Sequence, residues 1–165
     1  MNTVAQLLAN KQHWNEGDHG SNRIEHIQTI PQAATVLDAA NAMNNHRIGS
    51  LIVVDTLGAI AGIITERDIL TRVVTQQLDP AQTDVSKVMT TKVIHCTPDT
   101  TLTEARHLMT DCKIRHIPVI DQSVPKHSAQ KNPLVGMISI GDLNAAANAD
   151  LTIEVKSMRQ YITTS

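Results

Sequence analysis

One segment of the sequence occurs twice. Residues 62–70 read Gly-Ile-Ile-Thr-Glu-Arg-Asp-Ile-Leu, and residues 136–143 read Gly-Met-Ile-Ser-Ile-Gly-Asp-Leu. Each copy is an apolar run, then a hydroxyl residue, then an aspartate three positions after the hydroxyl. A repeat of this kind marks a supersecondary unit that buries its apolar face against a copy of itself. The chain is therefore expected to fold as two related units.

The repeat extends well beyond these two segments. At an offset of 66 positions, residues 36–55 match residues 102–121. Beyond them the offset becomes 74, because the second copy carries eight more residues within 122–133. That stretch is polar and contains two prolines, so it predicts a lengthened surface loop in a hairpin. The segments that precede the copies, 4–8 and 85–89, also resemble each other.

Each copy predicts the order strand, helix, strand, strand, helix. Thr35 and Thr101 are expected to be N-caps of helices that carry apolar residues on one side. Short apolar runs rich in β-branched residues predict two β-hairpins, at 51–54 with 60–64 and at 117–120 with 134–138. Since these runs are continuous rather than alternating, both faces of each sheet are expected to be covered.

A polar linker with a proline, residues 76–83, separates the copies. We therefore expect a first domain at 1–80, with a polar inserted loop at about 13–26, and a second domain at 81–148. After these, apolar residues recur at helical spacing and predict an amphipathic C-terminal helix at 149–165.

Composition argues against several classes of partner. Phe is absent, and the only large aromatic residues are Trp14 and Tyr161, so platforms for base stacking are lacking. A formal charge of −2 offers no electrostatic footprint for nucleic acid. No run approaches the roughly 20 apolar residues of a membrane helix, and no secretory signal is visible. We expect a soluble protein of the cytoplasm, in which Cys96 and Cys112 are reduced, half-buried thiols.

Catalytic chemistry finds little support in the sequence. His107 and Asp111 share a helix face but lack two further ligands at zinc-like spacing, so no metal site is expected. Neither a glycine-rich phosphate loop nor a nucleophile elbow occurs. We therefore expect a protein that is not an enzyme, has no catalytic residue and requires no cofactor.

The duplicated motif has two interpretations. If Thr65 and Ser139 end strands, Asp68 and Asp142 lie in the first turn of the following helices. A carboxylate there accepts hydrogen bonds from the two hydroxyls of a ribose, and the helix N-terminus favours a phosphate. The same spacing is also that of a capping box, which stabilises a helix without any ligand. From the residues alone, both interpretations stay open.

Four segments resemble tandem cystathionine-β-synthase (CBS) domains, a pair known as a Bateman module. They are residues 47–55, 62–68, 113–121 and 136–142. The resemblance covers about residues 4–147. It implies an α/β fold in which two β-α-β-β-α repeats pack sheet to sheet with pseudo-twofold symmetry. Between them it implies two clefts for adenosine compounds such as AMP, ADP, ATP, S-adenosylmethionine or NAD(H).

The resemblance also implies which residues line the two clefts. One cleft would use Ser139, Asp142, Arg115 and His116, with strand edges near Ile30, Gly49 and Ser50 for the base. The other would use Thr65, Arg67 and Asp68, with an edge near Thr97. The motif aspartate would hold the ribose, and the hydroxyl residue would hold ribose or phosphate.

The two clefts are not equivalent in sequence. Arg115 and His116 are both basic, whereas their counterparts in the first copy are Gly49 and Ser50. Since a guanidinium makes bidentate contacts with phosphate, the Asp142 cleft is the better candidate for a phosphorylated ligand. A solvated strand end is the alternative interpretation of the basic pair. Glycine replaces Arg67 in the second copy, which favours a larger ligand there.

The leading functional hypothesis is a regulatory sensor that binds an adenine nucleotide and signals its occupancy to an unidentified regulated protein. A structural dimerisation scaffold with vestigial clefts is the alternative, and a cryptic nucleotide hydrolase is disfavoured by the missing acid–base pair. Because small repeats with exposed apolar faces usually pair, a homodimer is expected under either leading hypothesis.

Overall fold

The computed structural model describes residues 2–15, 27–123 and 133–149. Within these residues the chain forms two compact units. The first, called the Thr65 unit below, comprises residues 27–94, 122–123 and 133. The second, called the Ser139 unit, comprises residues 2–15, 95–121 and 134–149.

Helices and short strands alternate along the described chain. In chain order the elements are α1 (Val4–Asn15), β1 (Thr29–Pro31), α2 (Val36–His46), β2 (Ser50–Val54), β3 (Ile60–Thr65), α3 (Glu66–Ile69) with a π-helical continuation (Leu70–Val74), α4 (Val85–Val88), α5 (Leu102–Asp111), β4 (His116–Ile120), β5 (Leu134–Ser139) and α6 (140–149). In the Thr65 unit β2 lies between a parallel β1 and an antiparallel β3, and in the Ser139 unit β4 and β5 form an antiparallel pair.

Both predicted hairpins and both predicted helix caps are confirmed. Thr35 and Thr101 each accept a hydrogen bond from the backbone three residues on, where a carboxylate bonds back to the cap residue. Hydrogen bonds from the Thr35 side chain and backbone hold the pKa of Asp38 below its ordinary value. The same two groups of Thr101, the backbone first, lower the pKa of Glu104. The structure therefore confirms the α/β class and the repetition of one order of helices and strands in both copies.

The first strand is weaker in the second copy. β1 has three residues in the Thr65 unit, whereas its counterpart in the Ser139 unit is a single bridge between Cys96 and Val119. Pairing stops there because the next amide that would face β4 belongs to residue 98, which is a proline and has no N–H to donate, whereas Gln32 N–H donates to Val54 O in the first copy. The side chain of Ile30 in β1 and that of Cys96 are both buried in the cores of their units.

The segments that precede the two copies, 4–8 and 85–89, each pack with the copy to which the sequence division does not assign them. Val4 and Leu7 of α1 lie in the core of the Ser139 unit, while Val85 and Val88 of α4 lie in the core of the Thr65 unit. Each segment is fixed by backbone bonds: Val4 N–H donates to Thr100 O at 2.9 Å, and Val85 N–H donates to Ala34 O at 2.8 Å. The compact units thus differ from the expected division at 1–80 and 81–148.

The expected inserted loop and the expected C-terminal helix lie mostly outside the described residues. The loop expected at about 13–26 begins later, because α1 continues through Asn15; good helix formers such as Ala9 and Lys11 extend it beyond the packed turn. Residues 16–26, 124–132 and 150–165 lie outside the described part of the chain, and with them most of the expected loops and of the 149–165 helix.

Two equivalent glycines allow the leading helices to approach the sheets. A Cβ atom at Gly62 would lie 2.8 Å from Thr90 O and 2.9 Å from Met89 Sδ. A Cβ atom at Gly136 would lie 2.6 Å from Leu8 Cδ1. Both positions therefore need glycine for space, but the obstacle at Gly62 includes backbone, whereas at Gly136 it is the end of a flexible side chain.

We predict that Gly62→Ala destabilises the protein more than Gly136→Ala does. Overpacking of a tight contact costs about 1–3 kcal/mol, and we expect Gly62→Ala to fall in that range because the Thr90 carbonyl cannot rotate away. Leu8 can change rotamer, so the second substitution should cost less. Urea denaturation of both variants measures the difference. An equal or larger loss in Gly136→Ala would contradict this account of the two contacts.

Candidate functional site

The candidate site of the Ser139 unit lies at the corner where β5 turns into α6. Ser139 is the last residue of β5 and pairs across the hairpin with His116. The first amide of α6, that of Ile140, donates to the carbonyl of Arg115 at 2.9 Å. The strand register therefore brings Arg115 and His116 next to the Ser139–Asp142 motif, as the sequence predicts for one cleft.

Asp142 makes a capping box with Ser139. Its Oδ2 accepts hydrogen bonds from the backbone N–H of Ser139 at 2.7 Å and from the Ser139 hydroxyl at 2.8 Å. In return, the Asp142 N–H donates to Ser139 Oγ at 3.2 Å. The capping interpretation of the motif is confirmed, and the carboxylate remains half-buried rather than fully enclosed.

The Thr65 unit has the same corner between β3 and α3. Thr65 pairs with Ser50, and the Glu66 N–H donates to the carbonyl of Gly49 at 3.2 Å. Asp68 Oδ2 accepts from Thr65 N–H at 2.9 Å and from Thr65 Oγ1 at 2.6 Å, while Asp68 N–H donates to Thr65 Oγ1 at 3.2 Å. The two motifs thus adopt one backbone and side-chain arrangement.

A family model described as the CBS domain matches residues 24–75 and 85–148. The chain belongs to the CBS domain family. The two matched stretches contain the Thr65 and Ser139 corners respectively, so both corners are CBS motifs. Each match also begins before the helix capped by Thr35 or Thr101, in agreement with the repeat order found in the structure.

Several CBS proteins of known sequence or structure are similar to the chain. CBSX3, a mitochondrial CBS domain-containing protein of Arabidopsis thaliana, is 39% identical over 132 residues, which cover 78% of this chain and 60% of CBSX3. YhcV of Bacillus subtilis is 35% identical over 132 residues, 76% of this chain and 86% of YhcV. A CBS-domain structure from Burkholderia ambifaria is 38% identical with a TM-score of 0.73, covering 90% of this chain and 95% of that one.

These relatives bear on the wider predictions only coarsely. Because one of these relatives is mitochondrial, a cytoplasmic location stays a prediction for this chain. In the part of the chain that the structure describes, no helix is both long and apolar enough to cross a membrane. The same part holds no group of three or more His, Cys, Asp or Glu side chains arranged to bind a metal ion.

The remaining predicted ligand residues lie at several places in the two units. Arg67 is exposed in the first turn of α3, and Gly141 occupies the equivalent exposed position in α6. Ile30 belongs to β1, at one edge of the three-stranded sheet, and Thr97 lies in the turn that ends at Thr100. Their contact with a ligand, and that of Gly49 and Ser50 with a base, stay predictions.

Sequence analysis missed two residues at the first CBS corner, Arg72 and Thr90. Asp68 Oδ1 accepts from the Thr90 hydroxyl at 3.2 Å and forms an ion pair with Arg72 at 3.3 Å. The i,i+4 spacing of Asp68 and Arg72 was a usable signal, since such pairs are neighbours on a helix. Thr90 gave no local signal, because it is 22 residues from its partner.

The two cysteines differ in environment. Cys96 is buried, and desolvation by burial raises its pKa to about 11. Cys112 is exposed at the C-terminal end of α5. Because the thiolate is the reactive form, Cys96 is protected both by its pKa and by the surrounding core.

We predict that a thiol reagent such as iodoacetamide modifies Cys112 quickly at pH 8 and modifies Cys96 only when the protein unfolds. Mass spectrometry of timed samples measures the two rates. The matched control is Cys112→Ser, which should show almost no labelling until urea is added. Rapid labelling of the folded Cys112→Ser protein would mean that the core around Cys96 is open.

Proposed function

We propose that this CBS protein is a non-enzymatic regulatory module that binds an adenine nucleotide, of the AMP, ADP/ATP or NAD(H) type, at the Ser139 corner. The observation that supports this most is the strand register, which brings the backbone of Arg115 and His116 beside the start of α6, where Asp142 lies. Their guanidinium and imidazole, together with the helix N-terminus and the carboxylate, suit the two polar parts of a nucleotide, its phosphate and its ribose.

Phosphate recognition is assigned to α6 and to the basic pair. The first turn of a helix of this length presents a partial positive charge to an anion, although the Ile140 and Asp142 amides already donate to Arg115 O and Ser139 Oγ. Arg115 is exposed immediately before β4, and its planar guanidinium can bind phosphate oxygens in pairs. The imidazole of His116 can offer a ring N–H donor to the same phosphate.

Ribose recognition is assigned to Asp142. An ionised carboxylate has about four acceptor positions on its two oxygens, so a cap through Oδ2 is compatible with further hydrogen bonds. Hydrogen bonds to a charged acceptor are stronger than neutral ones. The capping box also holds the carboxylate in one rotamer, which lowers the entropy cost of binding a sugar.

Regulation then requires that the nucleotide bind one conformation of the protein more tightly than another. The effect on a regulated protein is limited to that difference in affinity. An unidentified protein partner is therefore part of the proposal, whereas nucleic acid and membrane are not.

We predict that Asp142→Asn weakens binding of AMP, ATP or NADH by about tenfold or more, because a charge-assisted bond contributes about 1.5–3 kcal/mol. Isothermal titration calorimetry measures the affinities. Asp38→Asn is the matched control: it damages an equivalent capping box in α2, away from the corner motifs, and should leave binding within about twofold. Equal affinities of the two variants would remove Asp142 from the site, and an absence of heat with all three ligands would refute nucleotide binding.

A dimerisation scaffold is the second candidate, favoured by exposed apolar side chains. Large apolar residues at 40% exposure or more cluster in the Thr65 unit: Leu37, Leu57, Leu70, Val74 and Leu78. Leu70 and Val74 are one turn apart in the π-helical segment. Exposed apolar surface of this kind favours association with another protein surface.

We predict that the protein is a homodimer in solution and that Leu70→Glu with Val74→Glu converts it to a monomer. Size-exclusion chromatography with light scattering measures the mass. Leu57→Glu is a suitable control, because Leu57 is exposed in the turn between β2 and β3 rather than on the π-helical segment. A wild-type protein that elutes as a monomer at micromolar concentration would contradict the dimer.

A further inference from the structure

Arg106 reaches from the middle of α5 to the first turns of α6. Its Nη2 donates to the carbonyl of Leu143 at 2.9 Å, and its Nη1 donates to Asn144 Oδ1 at 2.8 Å. Sequence analysis had no signal for these contacts, because the partners lie 37 and 38 residues from Arg106. We call the two hydrogen bonds the Arg106 tie.

The tie fixes a position that the apolar packing of α5 and α6 leaves open. One buried cluster contains residues of both helices: Ala105, Met109, Leu143 and Ala146. Burial of apolar surface is non-directional, so it allows one helix to slide or rotate against the other. A guanidinium, by contrast, presents its N–H donors in a rigid planar fork. A fork bonded to two consecutive residues of α6 therefore sets where that helix lies along and around its axis.

α5 also leads directly into the basic pair of the proposed site. Just beyond the helix, Ile114 N–H donates to Met109 O at 2.9 Å, as in a Schellman motif, so the chain turns tightly towards Arg115 and His116. α5 is thus bonded to both halves of the proposed site. This turn connects it to the basic pair, and the tie connects it to the part of α6 that carries Asp142.

The first copy cannot form an equivalent tie. At the repeat offsets, Arg106 corresponds to Ala40 of α2, and Asn144 corresponds to Leu70. The alanine side chain has no donor, and the leucine side chain has no acceptor. The tie is therefore a feature of the Ser139 unit, the unit in which we place the nucleotide.

We infer that Arg106 is a positioning residue of the nucleotide site: it holds α6, and with it Asp142, in place relative to the basic pair. This role rests on the proposed function, whereas the tie itself is a contact of the fold. Both terminal nitrogens of the Arg106 guanidinium donate to α6, so Arg106 acts through the helix instead of on the ligand. Such preorganisation raises affinity, because less binding energy is spent on ordering the protein.

Calorimetry with AMP and with ATP tests this role in the full chain. We expect Arg106→Met to weaken both ligands about fivefold or more, and by a similar factor, since both contain the ribose assigned to Asp142. Arg106→Lys keeps the charge and one possible donor, so it should retain part of the affinity. The matched control is Glu104→Ala, which removes the capping carboxylate of the same helix and should leave both affinities within about twofold.

Three results would overturn the inference while leaving the proposed function intact. The first is an unchanged affinity in Arg106→Met, and the second is an equal loss in Glu104→Ala. The third is a loss that is much larger for ATP than for AMP, because it would mean that the guanidinium contacts the additional phosphates directly. If the wild-type protein binds neither ligand, the proposed function fails, and the positioning role fails with it.

A double-mutant cycle tests the tie without any ligand. Asn144→Ala removes one acceptor of the tie, so it should lower the midpoint of urea denaturation of the wild-type protein but not that of Arg106→Met. Additive losses would overturn the tie, because the two side chains would then act independently. Should Arg106→Met fail to fold, Arg106→Lys takes its place in both experiments with smaller expected losses, and an unchanged affinity has the same meaning.

Discussion

The structure depends on one reciprocal pair of hydrogen bonds, made between a hydroxyl residue and the carboxylate three positions later. The same pair begins four helical segments, at Thr35–Asp38, Thr65–Asp68, Thr101–Glu104 and Ser139–Asp142. Where it follows a strand, it fixes the angle between strand and helix and brings the residues at the start of the neighbouring strand beside the carboxylate. A motif that looks like a binding signature is thus first of all a folding device.

One local geometry supports two different outcomes. At the first corner, a short helix, a π-helical turn and a returning segment surround Asp68 with protein partners, so its charge stabilises the fold. At the second, Ala146 occupies the position of Arg72 and Ala9 that of Thr90, and the longer helix α6 follows β5, whose last residue pairs with His116. Duplication supplied both corners, and the side chains around them differ.

Local patterns were sufficient to predict the repeat, the hairpins and the caps. Their information lies within a few residues, as in the Thr35–Asp38 box or the apolar run at 51–54. Long-range partners were not predictable: Val4 and Val85 have similar surroundings in sequence, yet each packs with the copy that its backbone bonds select. The Asp68–Thr90 contact spans 22 residues, and the short first strand of the second copy depends on Pro98, which lacks the N–H that would continue the pairing with β4.

The most direct test of the account is an NMR titration of the isotopically labelled protein with AMP or ATP, followed through backbone amide resonances. We predict that the largest shifts fall at residues 115–116 and 139–142, with little change at 65–68. Shifts centred on 65–68, or none at 139–142 at saturating nucleotide, would contradict the assignment of the ligand site to the Ser139 corner.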